Sequence, residues 1–319
     1  MLSRVADSLY WMSRYLERAE HTARVVSVNL SLTFDRAPTE LALHWGRLLA
    51  SLRLPPSVAA AGGPVDVTVG TTLDLANRDS IAACVATARE NARQVREQIS
   101  SEMWEELNRL HLTVQNTDVV DTSRPERMDS FFRSVIDGVH LFQGVTDATL
   151  PHGEGYRFIE LGRYLERAGA TAALLDLHYR DFADASRHPT DIGELVEWAG
   201  LLKACHAFEA YCQRFTADID AARVAEFLIL DEDFPRSLRF AGARIDTALA
   251  AVLEDTGRAR GDADRLAGRL RASLDFCHLD DVLAGPAAFL ADITRQTNDI
   301  NAAVHRQYID YPVEAGLPG

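Results

Sequence analysis

The hexapeptide Arg14-Tyr15-Leu16-Glu17-Arg18-Ala19 returns letter for letter as Arg163-Tyr164-Leu165-Glu166-Arg167-Ala168, 149 positions later. At that offset Leu9 falls on Phe158, Met12 on Leu161, Thr22 on Thr171, Ala23 on Ala172, Val25 on Leu174 and Val26 on Leu175. A repeat of this kind reads as two drifted copies of one folding unit. Both copies keep an apolar seam, and both keep an Arg-x-x-Glu-Arg set.

The seam is helical. Val5, Leu9, Met12, Leu16, Ala19, Ala23, Val26 and Leu30 advance by steps of four and three, and Phe158, Leu161, Leu165, Ala168, Ala172, Leu175 and Tyr179 do the same. Ile81, Val85, Ala88, Ala92, Val95 and Ile99 make a third such stripe. Only Val65 to Val69 alternates as a strand does, over too short a run to found a sheet. Ser80 and Ser237 stand 157 positions apart and read as helix starts, which fits the repeat after an eight-residue insertion (157 against 149). Ser101 reads as a further cap. Breaks fall at Asp35–Pro38, Pro55–Pro64, Thr117–Pro125, Leu150–Gly155 and His188–Pro189. The expected fold is therefore all-α: an internally duplicated helical bundle whose pseudo-symmetric halves, about 1–150 and 151–312, pack as one body, with 313–319 as a tail. Each half is read as a long repeat helix, a second helix, a Ser-led third helix and further helices that close the bundle.

A net charge of -14 argues against unspecific binding to nucleic acid. Lys203 is the only lysine, so Schiff-base chemistry has one candidate while bidentate recognition of anions by arginine has many. Cys84, Cys205, Cys212 and Cys277 lack metal-type spacing and read as thiols of a reducing compartment, with Cys205 and Cys212 on one helix. Charges at Arg14, Glu17, Arg18 and Glu20 interrupt the first apolar stretch, which is neither signal peptide nor membrane span, so the expected location is cytoplasmic.

With Leu16 centred on the buried seam, Arg14 and Arg18 project to the far side of the first helix and Glu17 and His21 lie on one shoulder. Two readings stay open. Glu17 and Glu166 are satisfied by arginines of neighbouring helices in a buried ion-pair network, or Arg14, Arg18, Arg163 and Arg167 surround a ligand or catalytic site with Glu17, Glu166 or Glu102 as general acid or base. A pseudo-twofold arrangement would bring both sets near one axis. A second cluster, Arg89, Asn91, Arg93, Arg96, Trp104, Glu105 and Asn108, belongs to one half alone, since its counterparts in the other half are not kept. Arg93 and Glu97 form an ordinary i,i+4 pair in this reading. Glu17 and His21 have no matching pair in the second copy, where Ala170 follows Glu166, so no duplicated metal site and no cofactor is expected. His206 beside Cys205 and His278 beside Cys277 are read as core packing.

Tyr10-Trp11-Met12-Ser13-Arg14-Tyr15-Leu16-Glu17-Arg18-Ala19, Ala88-Arg89-Glu90-Asn91-Ala92-Arg93 and the run from Ile99 to Asn108 together resemble the bacterial Alpha-E family, as do Gly162–Ala168 and Pro235-Arg236-Ser237. The chain departs from the family's Pro-x-Ser-like turn at Asn77-Arg78-Asp79-Ser80. The resemblance implies an all-helical protein that accompanies a circularly permuted ATP-grasp amide ligase, with a transglutaminase-like peptidase as a second implied partner. The leading expectation is a helical partner that presents an anionic, peptide-like substrate. An enzyme of amide modification and an oligomerising scaffold are the alternatives.

Overall fold

The computed structural model describes residues 1, 3–32, 38–59, 64–117, 125–182, 192–216 and 218–309. Every regular element among them is helical. In chain order these are α1 (Ser3–Ser31), α2 (Pro38–Ser51), α3 (Pro64–Thr72), α4 (Ile81–Gln94), α5 (Ser101–Gln115), α6 (Pro125–Thr149), α7 (Glu154–Phe182), α8 (Ile192–Ala204), α9 (Phe208–Phe215), α10 (Ala221–Ala225), α11 (Leu238–Thr256), α12 (Asp262–Asp275), α13 (Leu279–Leu283) and α14 (Pro286–Val304).

The two helices that carry the repeated hexapeptide are each 29 residues long and pack against one another at the centre. α4 and α6 also pack on α1, while α11 and α14 pack on α7. The seam from Val5 to Val26 is buried, with Leu30 half-buried, but so are Glu17, Glu20, His21, Thr22 and Arg24 on other faces of α1. A helix enclosed this way has no water for its charged side chains, so they must pair within the protein. Gly162 sets the approach of the two helices: a Cβ there would strike the Tyr10 carbonyl oxygen and stand 3.3 Å from Arg14 Cγ. This closeness brings side chains of α1 within reach of carboxylates on α7.

The helix starts follow capping chemistry. Ser80 Oγ accepts from the Ala83 amide at 3.1 Å and Ser237 Oγ from the Phe240 amide at 3.0 Å. Both serines close the same turn, with Ser80 N–H donating to Asn77 C=O and Ser237 N–H to Phe234 C=O, each at 3.0 Å. Arg78 stands where the Pro-x-Ser turn would have proline, and Asn77 before it accepts from the Asp79 amide at 3.1 Å, an Asx turn that fixes where Asp79 stands.

Several expectations are corrected. Val65–Val69 lies inside α3, where Gly70 sits tightly against Val58 and helical packing overrides strand propensity. Short helices therefore intervene before each Ser-led helix, α2 and α3 before α4 and α8 to α10 before α11. Ser100, not Ser101, caps α5, accepting from the Met103 amide at 3.1 Å. Cys205 follows α8 while Cys212 lies in α9, so a turn separates them. Arg93 pairs with Glu90 at 2.6 Å rather than with Glu97. The expected breaks at Asp35–Pro38, Thr117–Pro125 and His188–Pro189, the Gly-Gly part of Pro55–Pro64 and the tail 313–319 fall largely or wholly outside the described residues.

Candidate functional site

The repeated Arg-x-x-Glu-Arg sets meet across the α1–α7 interface and exchange partners. Arg167 Nε and Nη2 donate to Glu17 Oε1 and Oε2 at 2.6 and 2.9 Å. Arg18 Nε and Nη2 donate to Glu166 Oε1 and Oε2 at 2.7 and 3.1 Å. The same atoms of matched residues make both forks, each a bidentate charge-assisted pair.

Around these forks the two centres differ. Glu17 is closed off: Arg236 Nη1 and Gln143 Nε2 each donate to it at 3.2 Å. One turn on, Glu20 accepts from Arg236 Nη2 on both oxygens at 2.7 and 2.8 Å and from Arg24 Nη2 at 2.6 Å. His140 Nε2 stands 3.0 Å from Glu20 Oε1. Burial pushes both carboxyls up, but the guanidiniums more than reverse it: Arg167 and Arg236 hold Glu17 below the usual range, and Arg236 and Arg24 hold Glu20 well below it. This centre is a sealed ion-pair network, as the structural reading expects.

The Glu166 centre opens to solvent. Arg14 donates through Nε to Glu166 Oε2 at 2.9 Å and through Nη1 to Tyr10 Oη and Asn301 Oδ1, while its guanidinium stacks 4.8 Å from the Trp11 ring. Arg18 Nη1 pairs with Asp79. Burial raises the Glu166 carboxyl, and Arg14 and Arg18 overturn that, leaving it far below its ordinary value. Beside this group is a cleft of about 170 Å³, lined by Arg14, Arg18, His21, Arg53, Asp79 and Glu166, with Leu52, Leu54 and Ala170 as apolar wall.

Arg53 follows α2 in a left-handed conformation, φ 58°. Its N–H donates to Ala50 C=O at 3.0 Å, and Leu54 N–H donates to Leu49 C=O at 2.8 Å. In this helix-ending turn glycine ordinarily takes the left-handed position. Arg53 accepts that strain and is exposed, with no hydrogen bond or ion pair among the described residues. Its guanidinium lies where a Cβ on Gly169 of α7 would come within 3.1 Å. Loss of hydration outweighs the attraction of Glu166 and, with repulsion from Arg18 and Arg14, lowers its pKa. Across the cleft His21 is 8% exposed and its Nε2 has no hydrogen-bond partner. Burial first, then Arg24 and Arg236, lower its pKa to about 3, so the ring is neutral at physiological pH.

The Glu-Arg dipeptides 17–18 and 166–167 thus occupy the centre of an all-helical chain, and the family model that matches residues 1–309 describes "a predicted alpha-helical domain with a conserved ER motif". The chain belongs to the Alpha-E family. It is similar to uncharacterized proteins of Mycobacterium bovis and Mycobacterium tuberculosis, at 26% identity over 322 aligned positions that cover 93% of this chain and 36% of each relative. The Alpha-E chain therefore spans about a third of the length of these relatives. No solved structure matches it.

The other expected site residues of this Alpha-E chain disperse. Arg163 matches Arg14 in the repeat but makes no such network, and its Nε lacks a hydrogen-bond partner. Arg89 donates to Asn108 Oδ1 at 2.6 Å, and the Arg89 and Arg96 guanidiniums stand 5.3 and 5.7 Å from the Trp104 ring, forming one patch on α4, α5 and the turn between them. Asn91 is half-buried, while Arg93, Glu102 and Glu105 are exposed, and none of the four lines the cleft. His206 is an exposed residue at φ 51°, not a core one, and His278 is exposed too. Glu20, His140 and His206 bring three donor atoms within 4.8 Å of one another. Arg236 and Arg24 already occupy both Glu20 oxygens and oppose a divalent cation there, so the group is better described as a histidine-capped ion pair.

The acid response follows from these shifts. His21 titrates at 6.5 when unfolded and at about 3 when folded, so below 6.5 the unfolded chain takes up a proton that the folded chain refuses. Glu17, Glu20 and Glu166 have folded pKa values below their ordinary 4.5, so the stability they contribute is present above 4.5 and is lost as pH falls further. Urea midpoints measured from pH 8 to pH 4 are expected to stay level to about 6.5, decline below it by up to about 1.4 kcal/mol per pH unit for each such group, and steepen below about 4.5. A midpoint that rises between pH 6.5 and 4.5 would contradict the assignment.

Proposed function

We propose that this chain is a helical accessory module of an ATP-grasp amide ligase system, holding an anionic, peptide-like substrate in the Arg14–Arg18–Arg53 cleft. The observation that carries this reading is Arg53: a guanidinium without an ion pair among the described residues, kept in a strained backbone position beside a polar cleft. Such strain persists where the side chain has a use. The ligase partner comes from the family resemblance, and a cytoplasmic setting is part of the same reading. That the matched region makes up 36% of the mycobacterial relatives supports a module working beside other machinery. Among the described residues no helix is long and apolar enough to cross a membrane.

The reading includes an internal duplication. Its support is the reciprocal pairing of matched Glu and Arg atoms, the equal lengths of α1 and α7, the matched turns before Ser80 and Ser237, and the left-handed residues Arg53 and His206 after α2 and α8. In the duplicated frame Asp79 aligns with Arg236, and this charge reversal separates an open centre from a closed one. An enzyme using Glu17 or Glu166 as general acid has less support, because guanidiniums hold both carboxylates deprotonated and occupy their oxygens.

Co-purification tests the partnership. The tagged chain is expected to retain a circularly permuted ATP-grasp ligase at micromolar concentration, and Arg96→Ala with Trp104→Ala is expected to weaken the complex about tenfold by removing the half-buried Arg-Trp patch. Absence of any complex removes the accessory reading.

A further inference from the structure

The geometry points to a particular ligand class: the cleft takes a monocarboxylate bearing an adjacent N–H and a small aliphatic group, as at the C-terminus of a peptide or an N-acyl amino acid, in preference to phosphate. This rests on the proposal that the cleft binds an anion, and adds which anion. Charge is the first argument. Arg14, Arg18 and Arg53 face Glu166 and Asp79, and His21 is neutral, so the lining carries one net positive charge. One negative charge neutralises it, whereas a phosphate dianion leaves an excess inside a partly desolvated cleft.

Donor geometry is the second argument. The Arg14 fork is used by Glu166, Tyr10 and Asn301, and the Arg18 fork by Glu166 and Asp79. Arg53 alone among the lining guanidiniums has no bond to a described residue, which leaves one planar fork. A planar fork matches the two oxygens of a carboxylate. His21 Nε2, buried and unpartnered, supplies one more polar contact without adding charge. Asp79 is partly exposed at the rim, and its hydrogen bond to Arg18 uses Oδ1, which leaves Oδ2 to accept an N–H from the ligand. Leu52, Leu54 and Ala170 provide apolar wall for an aliphatic group. Phosphate has neither an N–H for Asp79 nor an apolar part for this wall.

Calorimetric titration of the full chain at pH 7.5 and fixed ionic strength, with N-acetyl-L-alanine, acetate and inorganic phosphate as probes, tests the inference. N-acetyl-L-alanine is expected to bind one per chain, at least about tenfold more tightly than phosphate and about threefold more tightly than acetate. Asp79→Asn raises the lining charge to two, and is expected to bring phosphate to within about threefold of N-acetyl-L-alanine. Circular dichroism confirms that this variant is folded, and the wild-type ratio decides the question without it. Phosphate binding as tightly as the carboxylate overturns this inference while leaving an anion site in place. Binding of none of the probes overturns both the inference and the anion-site proposal beneath it.

Discussion

Replacing Glu17 by Gln is expected to cost about 3–5 kcal/mol of folding stability, the range for breaking a buried ion pair from one side. The substitution is nearly isosteric, so packing changes little. What changes is that Arg167 and Arg236 lose the charge that compensates them, with Glu20 left to share Arg236 with Arg24. Their side chains are 7% and 9% exposed, so water does not take over. Glu166→Gln is expected to cost roughly half as much, because Arg14 and Arg18 are 14% and 24% exposed beside an open cleft and are rehydrated more easily. Urea unfolding followed by circular dichroism measures both. A Glu17→Gln cost below about 1 kcal/mol would remove the structural role assigned to the closed centre.

Arg53→Gly is expected to act in opposite directions on fold and function. Glycine is the ordinary residue at a left-handed helix end, and removing the Cβ from φ 58° relieves about 1–2 kcal/mol of strain, partly offset by the greater unfolded-state entropy of glycine. The same change removes the one guanidinium of the cleft with no partner among the described residues, and anion affinity is expected to fall at least about tenfold. A variant that gains stability and loses binding identifies a residue held for its ligand rather than for the fold. A variant that loses stability and keeps its anion affinity would show that Arg53 is structural.

The central helices were legible because an apolar period of four and three runs through both α1 and α7, and every seam position from Val5 to Val26 and from Phe158 to Tyr179 is buried. Ser80 and Ser237 were legible as caps because serine at a helix start has a local hydrogen-bond partner. The ion-pair reading of Glu17 was legible in kind, but its partners were not. Arg236 lies 219 positions away, so its role emerges only when α1 and the turn before α11 are packed together. Glu20 and Arg24 stand three and seven positions after Glu17, a spacing that places them on its face of α1 and is readable from sequence. Arg53 left no signal. The turn it closes is marked in sequences by glycine, and Leu52-Arg53-Leu54 contains none.

Two Glu-Arg centres of like geometry thus differ in setting: one is sealed in the core, and the other borders the cleft for which we propose an anion. The most direct test is the urea midpoint of the wild-type chain and of Arg53→Gly, each with and without N-acetyl-L-alanine at constant ionic strength. Ligand at about one hundred times its dissociation constant adds roughly 2.7 kcal/mol to a protein that binds it. The wild-type midpoint is expected to rise accordingly, while Arg53→Gly starts higher and does not move. Equal rises in both proteins, or no rise in either, would contradict the account.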